Sequence, residues 1–372
     1  MKIAIEALGI HSYGGGRTAT LNLLRSLISL DDQNEYLFIL SQPEPELSSL
    51  RARQYIFPVK DRFVMRIWAQ LAIPFLAQNY DLIHFAKNLG VLGLNIPHII
   101  TVYDLTTLIY PELFPRADVL YWKHIQRIVF KKATKIIAIS QQTAQDLQFF
   151  YKLPSSKIEI VYLAPPPHFR PSSPEVICRI KTAYGLPDYY VLHVGRIDPK
   201  KNIPLLIEAF SLFCGQTMFP GKLVLVGEFY KKKPDLRVYS YLNQPKIREK
   251  VQLVGAVPDA YLPAFYSGAT MVVLPSIHEG FGLAALEALA CGAPLIVNKA
   301  GALKEVVDDA ALFMESNTPE CLADLMKLIW SDPLTRQALR EAGPKQAAKF
   351  SWEKTARQTI DIYSRVKLGH EN

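Results

Sequence analysis

The stretch from His278 to Glu287 reads His-Glu-Gly-Phe-Gly-Leu-Ala-Ala-Leu-Glu, and it determines the fold that the sequence predicts. The apolar run before it, Met271–Leu274, is typical of a buried strand. The segment Leu283–Cys291 has helical character and is ended by Gly292, an alanine and a proline. The order of strand, glycine-rich turn and helix leaves backbone N–H groups at a helix N-terminus, where the helix dipole favours a phosphate.

Two glutamates mark the ends of this stretch, with seven residues between them. Glu279 stands at the start of the turn, and Glu287 follows about one turn into the helix, where we expect it to accept hydrogen bonds from vicinal hydroxyls. Gly280 and Gly282 let the backbone approach a ligand closely. A pocket for both a phosphate and sugar hydroxyls suits a nucleotide-sugar. The plainer alternative is an ordinary glycine-rich turn in a doubly wound enzyme.

The same pattern resembles the signature of the retaining, metal-independent glycosyltransferases of the GT-B type, in the large family 4 (group 1) that includes mannosyl- and glucosyltransferases and sucrose synthase. The resemblance implies an α/β fold of two Rossmann-like domains that face a cleft, with parallel sheets flanked by helices. It also implies that Glu279 contacts the donor sugar at the catalytic centre. The donor-binding positions that it implies on this stretch are Gly280, Phe281, Gly282, Leu283 and Glu287.

A second motif, Val194–Asn202, follows a predicted strand and opens a helix. Arg196 offers a planar set of donors suited to phosphate oxygens, and Lys201 can reach the same group as a point charge. Taken alone, such a pair is often the solvated start of a helix. The run is similar to the family's glycine-arginine and lysine-glycine signature, with Asn202 in place of the usual glycine. There the two cations neutralise the donor's diphosphate and the departing nucleotide.

Many glycosyltransferases hold a metal ion on an Asp-x-Asp run, and this chain contains none. Electrostatic stabilisation of a leaving group can be the largest contribution to catalysis. We therefore expect Arg196 and Lys201 to act in place of the cation, with neither a metal nor another cofactor required. The four cysteines are scattered without paired spacing, which argues against a zinc site or a disulfide framework.

Length and pattern predict two domains. The 372 residues alternate strand and helix patterns on both sides of a proline-rich break at Pro165–Pro167, which also includes Pro171 and Pro174. We interpret the break as an extended linker between an N-terminal acceptor domain, residues 1–170, and a nucleotide-sugar domain, residues 171–351. The resemblance implies that the last helix, about residues 352–372, packs back on the first domain.

The first domain offers weaker signals. Its loop Tyr13–Arg17 contains three glycines, of which Gly15 and Gly16 are candidates to contact the donor diphosphate; a plain tight turn is about equally compatible. Tyr103 and Asp104 follow another strand, where many family members carry His-Asp-Leu. A phenol is not a cation near neutral pH, so Tyr103 leaves the histidine's role open. Asp104 is a candidate sugar or acceptor contact, or a cap at the strand end.

Charge and hydropathy limit the other possibilities. The net charge is +8, and the chain has neither a signal-peptide pattern nor an uninterrupted apolar run of spanning length. We therefore expect a cytoplasmic protein. The basic amphipathic stretches Lys60–Gln78 and Leu120–Lys132 are ordinary surface helices, or they make peripheral contact with the inner face of the membrane if the acceptor is lipid-linked.

These observations predict a hexosyltransferase that acts in cell-surface polysaccharide synthesis. GDP-mannose is the favoured donor because Tyr103–Glu112 and Glu279–Asp309 resemble the mannosyltransferase-like branch; UDP-glucose, UDP-galactose and UDP-N-acetylglucosamine stay open. The acceptor is a glycan or a lipid-linked sugar. Two other function classes remain: a nucleotide-sugar epimerase or phosphorylase on the same fold, and a nucleic-acid-binding protein, for which the sequence offers no recognisable module.

Overall fold

A computed structural model describes residues 1–11, 15–49, 51–58, 61–230 and 234–369. The chain divides into two compact units: Met1–Ala164 together with Ser351–Asn372 form one, and Pro165–Phe350 form the other. The change between the units falls at the start of the proline triplet. Each unit is an α/β domain with its own parallel sheet.

The first unit alternates strands and helices along the chain. Its elements are β1 (Lys2–Glu6), a 3₁₀ turn (Leu8–His11), α1 (Gly15–Leu30), β2 (Glu35–Leu40), a 3₁₀ turn (Pro45–Leu47), β3 (Ala52–Ile56), α2 (Arg62–Ala77), β4 (Leu82–Phe85), β5 (His98–Val102), α3 (Thr106–Ile109), a 3₁₀ turn (Pro111–Leu113), α4 (Arg116–Leu120), a π-helical segment (Tyr121–Gln126), α5 (Arg127–Lys132), β6 (Lys135–Ala138), α6 (Gln141–Tyr151), a 3₁₀ turn (Ser155–Lys157) and β7 (Ile158–Ile160).

The second unit repeats this alternation. Its elements are α7 (Pro174–Tyr184), β8 (Tyr190–Val194), a 3₁₀ turn (Pro199–Lys201), α8 (Ile203–Thr217), β9 (Lys222–Val226), α9 (Leu236–Leu242), α10 (Pro245–Arg248), β10 (Val251–Gly255), a 3₁₀ turn (Asp259–Tyr261), α11 (Leu262–Gly268), β11 (Met271–Leu274), α12 (Leu283–Ala290), β12 (Leu295–Asn298), α13 (Leu303–Val307), a 3₁₀ turn (Asp308–Ala310), β13 (Leu312–Met314), α14 (Pro319–Ser331) and α15 (Pro333–Ala347).

The final helix, α16 (Trp352–Leu368), belongs to the first unit and packs along α1. The Tyr363 hydroxyl on α16 lies 2.6 Å from Nδ1 of the buried His84, whose Nε2 lies 2.8 Å from the Thr101 hydroxyl. The Thr355 hydroxyl donates to the Tyr162 carbonyl at 2.7 Å. Because the buried His84 of β4 finds a hydrogen-bond partner on α16, this helix is an integral layer of the first unit.

Both sheets have the doubly wound order. The first runs β3-β2-β1-β4-β5-β6-β7 and the second β10-β9-β8-β11-β12-β13, and the paired strands are parallel. In each sheet the chain first winds to one side and then restarts next to its first strand. In such sheets ligands bind beyond the carboxyl ends of the strands, where the winding direction reverses. The expected positions are therefore the ends of β1 and β4 in the first unit, and of β8 and β11 in the second.

One feature of the predicted linker is wrong. Pro174 was expected in an extended connection, and it is instead the first residue of α7, after Ser173 in extended conformation. Proline is compatible with this position because the first helical residue needs no N–H partner and a fixed φ suits the helix.

Candidate active site

The two strongest motifs meet at the reversal point of the second sheet. The motif with Arg196 and Lys201 follows β8, and the motif with Glu279 follows β11, the strand paired directly with β8. The Ile277 N–H donates to the Lys200 carbonyl at 2.9 Å, so the two loops are joined by a backbone hydrogen bond. The fold therefore brings together residues that are 78 positions apart in the sequence.

Lys201 and Glu279 form an ion pair at this point. The lysine Nζ donates to Glu279 Oε1 at 2.5 Å, and the two side chains are only 15% and 14% exposed. Burial alone would raise the pKa of Glu279, but the positive charges of Lys201 and Lys200 and the hydrogen bond from Lys201 lower it to about 2. Glu279 is therefore a carboxylate held beside a cation in a largely desolvated place.

A glycine holds the backbone of Glu279 in position. Gly301 has φ of +58°, and a Cβ built on it would lie 2.1 Å from the Glu279 carbonyl oxygen. The same carbonyl accepts from the Ala302 N–H at 2.9 Å. The loop after β12 thus packs directly on the Glu279 backbone, and only a residue without a side chain fits there.

Arg196 is held by two neighbours. Its Nε and one terminal nitrogen donate to the Asp198 Oδ2 at 3.0 and 2.9 Å, and its guanidinium carbon lies 4.2 Å from the centre of the Tyr230 ring. Asp198 in turn accepts from the Lys200 N–H and begins the turn that carries Lys201. The guanidinium is therefore oriented by a carboxylate and an aromatic face, while 55% of the side chain stays exposed.

Glu287 is buried inside α12, fifth in the helix. The Tyr266 hydroxyl donates to its Oε2 at 3.1 Å. Burial, followed by the negative charge of Asp259, raises the pKa of Glu287 to about 8, although the Tyr266 hydrogen bond and Lys201 act in the opposite direction. The two glutamates of the motif thus differ in charge at neutral pH: Glu279 is ionised and Glu287 is largely protonated.

The residues between the glutamates form the predicted turn. Gly282, with φ of +97°, precedes α12, and its missing Cβ would lie 2.5 Å from a Leu303 methyl. The ring of Phe281 is buried and meets Phe350 edge-on, with ring centroids 5.8 Å apart. Gly280 is buried and Leu283 is the first residue of α12. The Phe281 side chain therefore serves the core, and only its backbone is suited to a ligand.

His193, at the fourth position of β8, is a site residue that the sequence motifs did not indicate. Its Nδ1 lies 2.9 Å from the Val273 carbonyl, while its buried Nε2 has no hydrogen-bond partner among the described residues. A Cβ placed on Gly195 would lie 3.6 Å from this His193 nitrogen and 3.5 Å from Lys201 Cε. Burial lowers the pKa of His193 to about 4, so the ring is neutral and adjoins the Lys201 side chain.

In the first unit, Tyr103 and Asp104 lie just after β5. The Tyr103 hydroxyl shares a 3.2 Å hydrogen bond with the Thr20 hydroxyl of α1, and its N–H donates to Asn88 Oδ1 at 2.6 Å. Burial raises the pKa of Tyr103 to about 12, so it is a neutral phenol. Asp104 Oδ1 accepts from the Thr106 N–H at 3.0 Å and so stabilises the first turn of α3.

The glycine loop falls only partly within the described residues, since Tyr13 and Gly14 lie outside them. Gly15 is exposed and begins α1, and a Cβ on Gly16 would lie 2.8 Å from Lys87 Cε. Lys87 follows β4, and its charge partly offsets the effect of burial, which raises the pKa of Glu6 at the end of β1 to about 7. Neither Lys87 nor Glu6 belongs to a motif, and their only signal in the sequence is their position at or just after the ends of β4 and β1.

Within the part of the chain that the structure describes, there is no group of three or more His, Cys, Asp or Glu side chains that could hold a metal ion. Over the same residues, no helix combines the length and the apolar character needed to cross a membrane.

Comparison with known proteins agrees with the geometry. Residues 179–346 match the family model of glycosyl transferases group 1, and residues 13–164 match that of glycosyltransferase family 4. The O-antigen chain mannosyltransferase B of Escherichia coli is 30% identical over 264 residues, which cover 71% of this chain and 69% of that protein. The chain belongs to the family 4, group 1 glycosyltransferases. It is an enzyme that transfers a hexose.

Solved structures agree on the fold of this glycosyltransferase. Sucrose-phosphate synthase from Thermosynechococcus elongatus superposes with a TM-score of 0.80 at 20% identity, covering 99% of both chains. Anabaena HepE, solved with UDP and glucose, superposes with a TM-score of 0.77 at 18% identity, covering 98% of this chain and 99% of HepE. The two parallel-sheet units are those of the GT-B fold. Family membership favours glycosyl transfer over the epimerase, phosphorylase and nucleic-acid alternatives.

Proposed function

We propose that this glycosyltransferase moves a mannosyl group from GDP-mannose to a glycan or lipid-linked acceptor, with retention at the anomeric carbon and without a metal ion, in the synthesis of a cell-surface polysaccharide. The observation that carries the proposal is the largely buried Lys201–Glu279 ion pair at the reversal point of the second sheet. The mannosyltransferase with 30% identity supports the choice of mannose.

In this proposal the cations bind the donor diphosphate. In the free protein the positive charge of Lys201 is paired with the carboxylate of Glu279. A diphosphate that binds at this loop offers Lys201 a second anionic partner. Arg196 is half exposed and already oriented by Asp198 and Tyr230, so its planar donors need little rearrangement to bind phosphate oxygens. Two oriented positive charges on the loop after β8 stabilise a departing nucleotide and so supply what a metal ion supplies elsewhere.

The two glutamates, Glu279 and Glu287, have different proposed roles in donor binding. Glu279 is ionised and accepts hydrogen bonds from the donor sugar's hydroxyls. The buried Glu287 accepts from a ribose hydroxyl and exchanges its Tyr266 partner for the donor. The backbone at Gly280–Leu283 contacts phosphate and sugar at the N-terminus of α12.

Two side chains of the Lys201 loop region, Glu279 and His193, are poorly suited to take the acceptor's proton. Glu279 has its pKa lowered to about 2 and His193 to about 4, so both are weak bases near neutral pH. We therefore propose that the leaving phosphate takes that proton as the acceptor attacks from the same face. Retention of the anomeric configuration follows from same-face attack.

The second candidate donor is a UDP-hexose. HepE, which shares the fold at 18% identity, was solved in complex with UDP and glucose. In either case Gly15 and Gly16 are proposed to lie beside the diphosphate, and Tyr103 and Asp104 beside the sugar or acceptor. Contact with the inner face of a membrane belongs to the version with a lipid-linked acceptor.

The experiment combines transfer assays with two variants. Purified protein is incubated in chelator with GDP-mannose and a panel of glycan acceptors, and the anomeric configuration of the glycoside product is read by proton NMR. Lys201→Ala and Glu287→Ala should each lower turnover or donor affinity at least about tenfold, which corresponds to about 1.4 kcal/mol. Wild-type rates in both variants would overturn the site assignment, and product of inverted configuration would overturn the proposed mechanism.

A further inference from the structure

Helix α2 in the first unit has an apolar face that points to solvent. Four of its side chains follow one another at three- and four-residue spacing, so they share one face of the helix. Leu71 and Phe75 are 75% and 72% exposed, and Val64 and Ile67 are 48% and 47% exposed. An aliphatic or aromatic side chain exposed to this degree is common singly, but a row of four on one helix marks an interaction surface.

The opposite face of α2 is already used by the core. Ile73 and Ala77 are buried there, and Met65, Trp68 and Ala69 pack against the same cluster. The helix therefore needs none of its outer side chains for its own packing. For the side chains that the structure describes, from Val64 onward, the outer row contains no charged residue.

A basic helical segment lies beside this row. Arg66 of α2 donates to Asp118 at 3.2 Å, and its guanidinium lies 5.3 Å from the Tyr121 ring, so α2 packs next to the segment Arg116–Lys132. Along that segment the exposed side chains are Arg116, Ala117, Leu120, Lys123, His124, Arg127, Ile128, Lys131 and Lys132. Most of them are cationic, and Leu120 and Ile128 extend the apolar row, with 56% and 46% exposure.

The two segments account for most of the chain's excess charge. Arg62–Ala77 and Arg116–Lys132 contain seven Lys and Arg residues and one acidic residue, Asp118, a net charge of +6, where the whole chain carries +8. Asp118 is paired with Arg66. The surface is therefore apolar in its centre and positive along its side.

We propose that this surface, α2 with the segment Arg116–Lys132, docks the enzyme on an anionic lipid bilayer. Apolar side chains that enter the headgroup region while Lys and Arg meet anionic headgroups are the combination that interfacial helices use. A second copy of the chain fits less well, because a symmetric interface would bring two surfaces of charge +6 together. The docking rests on the proposed function only in its purpose, which is access to a lipid-linked acceptor.

The test measures partition of the full-length enzyme between buffer and vesicles. Vesicles of phosphatidylcholine alone are compared with vesicles that also contain phosphatidylglycerol, at salt concentrations of about 0.1 M and about 1 M, where screening lengths are about 10 and 3 Å. The apolar variant is Leu71→Gln with Phe75→Gln. Its matched control is Leu236→Gln with Leu334→Gln, since these leucines of the second unit are 72% and 82% exposed.

We expect the wild type and the control variant to bind the anionic vesicles, more weakly at high salt. The apolar variant should partition at least about tenfold less, since it loses two large side chains from the bilayer. Lys123→Gln with Arg127→Gln should lose most of the salt dependence. Donor hydrolysis should stay unchanged in all of these variants, because none of the substituted residues belongs to the donor site.

Three outcomes would overturn the inference. The first is wild-type partition of the apolar variant, and the second is binding that ignores anionic lipid. The third is a wild-type dimer that becomes monomeric with Leu71→Gln and Phe75→Gln and binds no vesicles, which would make a second copy the occupant. An enzyme that binds vesicles but neither binds nor hydrolyses any nucleotide-sugar would leave the docking intact and overturn the proposed function.

Discussion

Replacement of Lys201 by methionine tests how strongly the ion pair shapes the second unit. The substitution keeps the length of the side chain but leaves Glu279, only 14% exposed, without its cation. The pKa of Glu279 lies at about 2 where 4.5 is ordinary. Since each tenfold change in proton affinity is worth about 1.4 kcal/mol, the environment stabilises the folded, ionised state by about 3 kcal/mol at neutral pH.

The lowered pKa of Glu279 determines how the stability difference between the two proteins changes with pH. A carboxyl with a lowered folded-state pKa adds stability above its unfolded value of about 4.5, and this stability is lost as the pH falls towards 2. In Lys201→Met, burial dominates and raises the pKa of Glu279, so the variant should lose stability as the pH rises above 4.5. The gap between the two proteins should therefore be largest near neutral pH and shrink in acid.

The assay is thermal unfolding of the full chain, followed at several pH values. For a unit of this size, about 3 kcal/mol corresponds to a melting temperature lower by about 6–12 °C at neutral pH. The additional change Glu279→Gln should restore much of the loss, because it removes the uncompensated charge.

The matched control is Lys299→Met. Lys299 also donates to a glutamate at 2.5 Å, Glu315, but the two side chains are 47% and 77% exposed, so the loss should be below about 1 kcal/mol. Equal melting temperatures for wild type and Lys201→Met at neutral pH, or a gap that widens in acid, would show that Lys201 does not stabilise the ionised Glu279 in the folded protein.

Two further predictions concern the same unit. Gly301→Ala should lower stability by about 1–3 kcal/mol and weaken donor binding, because its Cβ would collide with the Glu279 carbonyl. The control is Gly215→Ala, in open space within α8, which should raise stability by about 0.5–1 kcal/mol. Equal effects of the two substitutions in urea unfolding would contradict the proposed collision. Because Glu287 has its pKa raised to about 8, the wild type should lose stability as the pH rises from about 4.5 to 8. Glu287→Gln should be more stable than the wild type at pH about 8 by up to about 4 kcal/mol, and the two proteins should converge in acid. Parallel pH profiles would show that the carboxyl is not protonated in the folded state.

Most interior strands could be predicted from the sequence, and five of them to the residue. The largely apolar runs at 82–85, 190–194, 222–226, 271–274 and 295–298 predict strands with the bounds of β4, β8, β9, β11 and β12, because strands covered on both faces are apolar along most of their length. Three short strands were missed, and all are at sheet edges: β3, β7 and β13. An edge strand has one neighbour and more solvent, so its sequence, such as Ala-Arg-Gln-Tyr-Ile in β3, carries no continuous apolar signal.

Part of the candidate site could be read from the sequence, but the contacts between its residues could not. Local motifs indicated Arg196, Lys201 and both glutamates of the turn. The ion pair between Lys201 and Glu279 depends on the pairing of β8 with β11, which no local pattern encodes. For the same reason Tyr230 under Arg196 and Tyr266 on Glu287 had no signal.

Donor binding in the presence of chelator decides whether Lys201 holds the donor diphosphate without a metal ion. The wild type is titrated calorimetrically with GDP-mannose, UDP-glucose, UDP-galactose and UDP-N-acetylglucosamine, with Lys201→Ala as the comparison. We expect saturable binding of GDP-mannose in chelator, weakened at least about tenfold by Lys201→Ala, since a cation at the diphosphate is lost. Binding that appears only after a divalent metal is added, or that Lys201→Ala leaves unchanged, would contradict it.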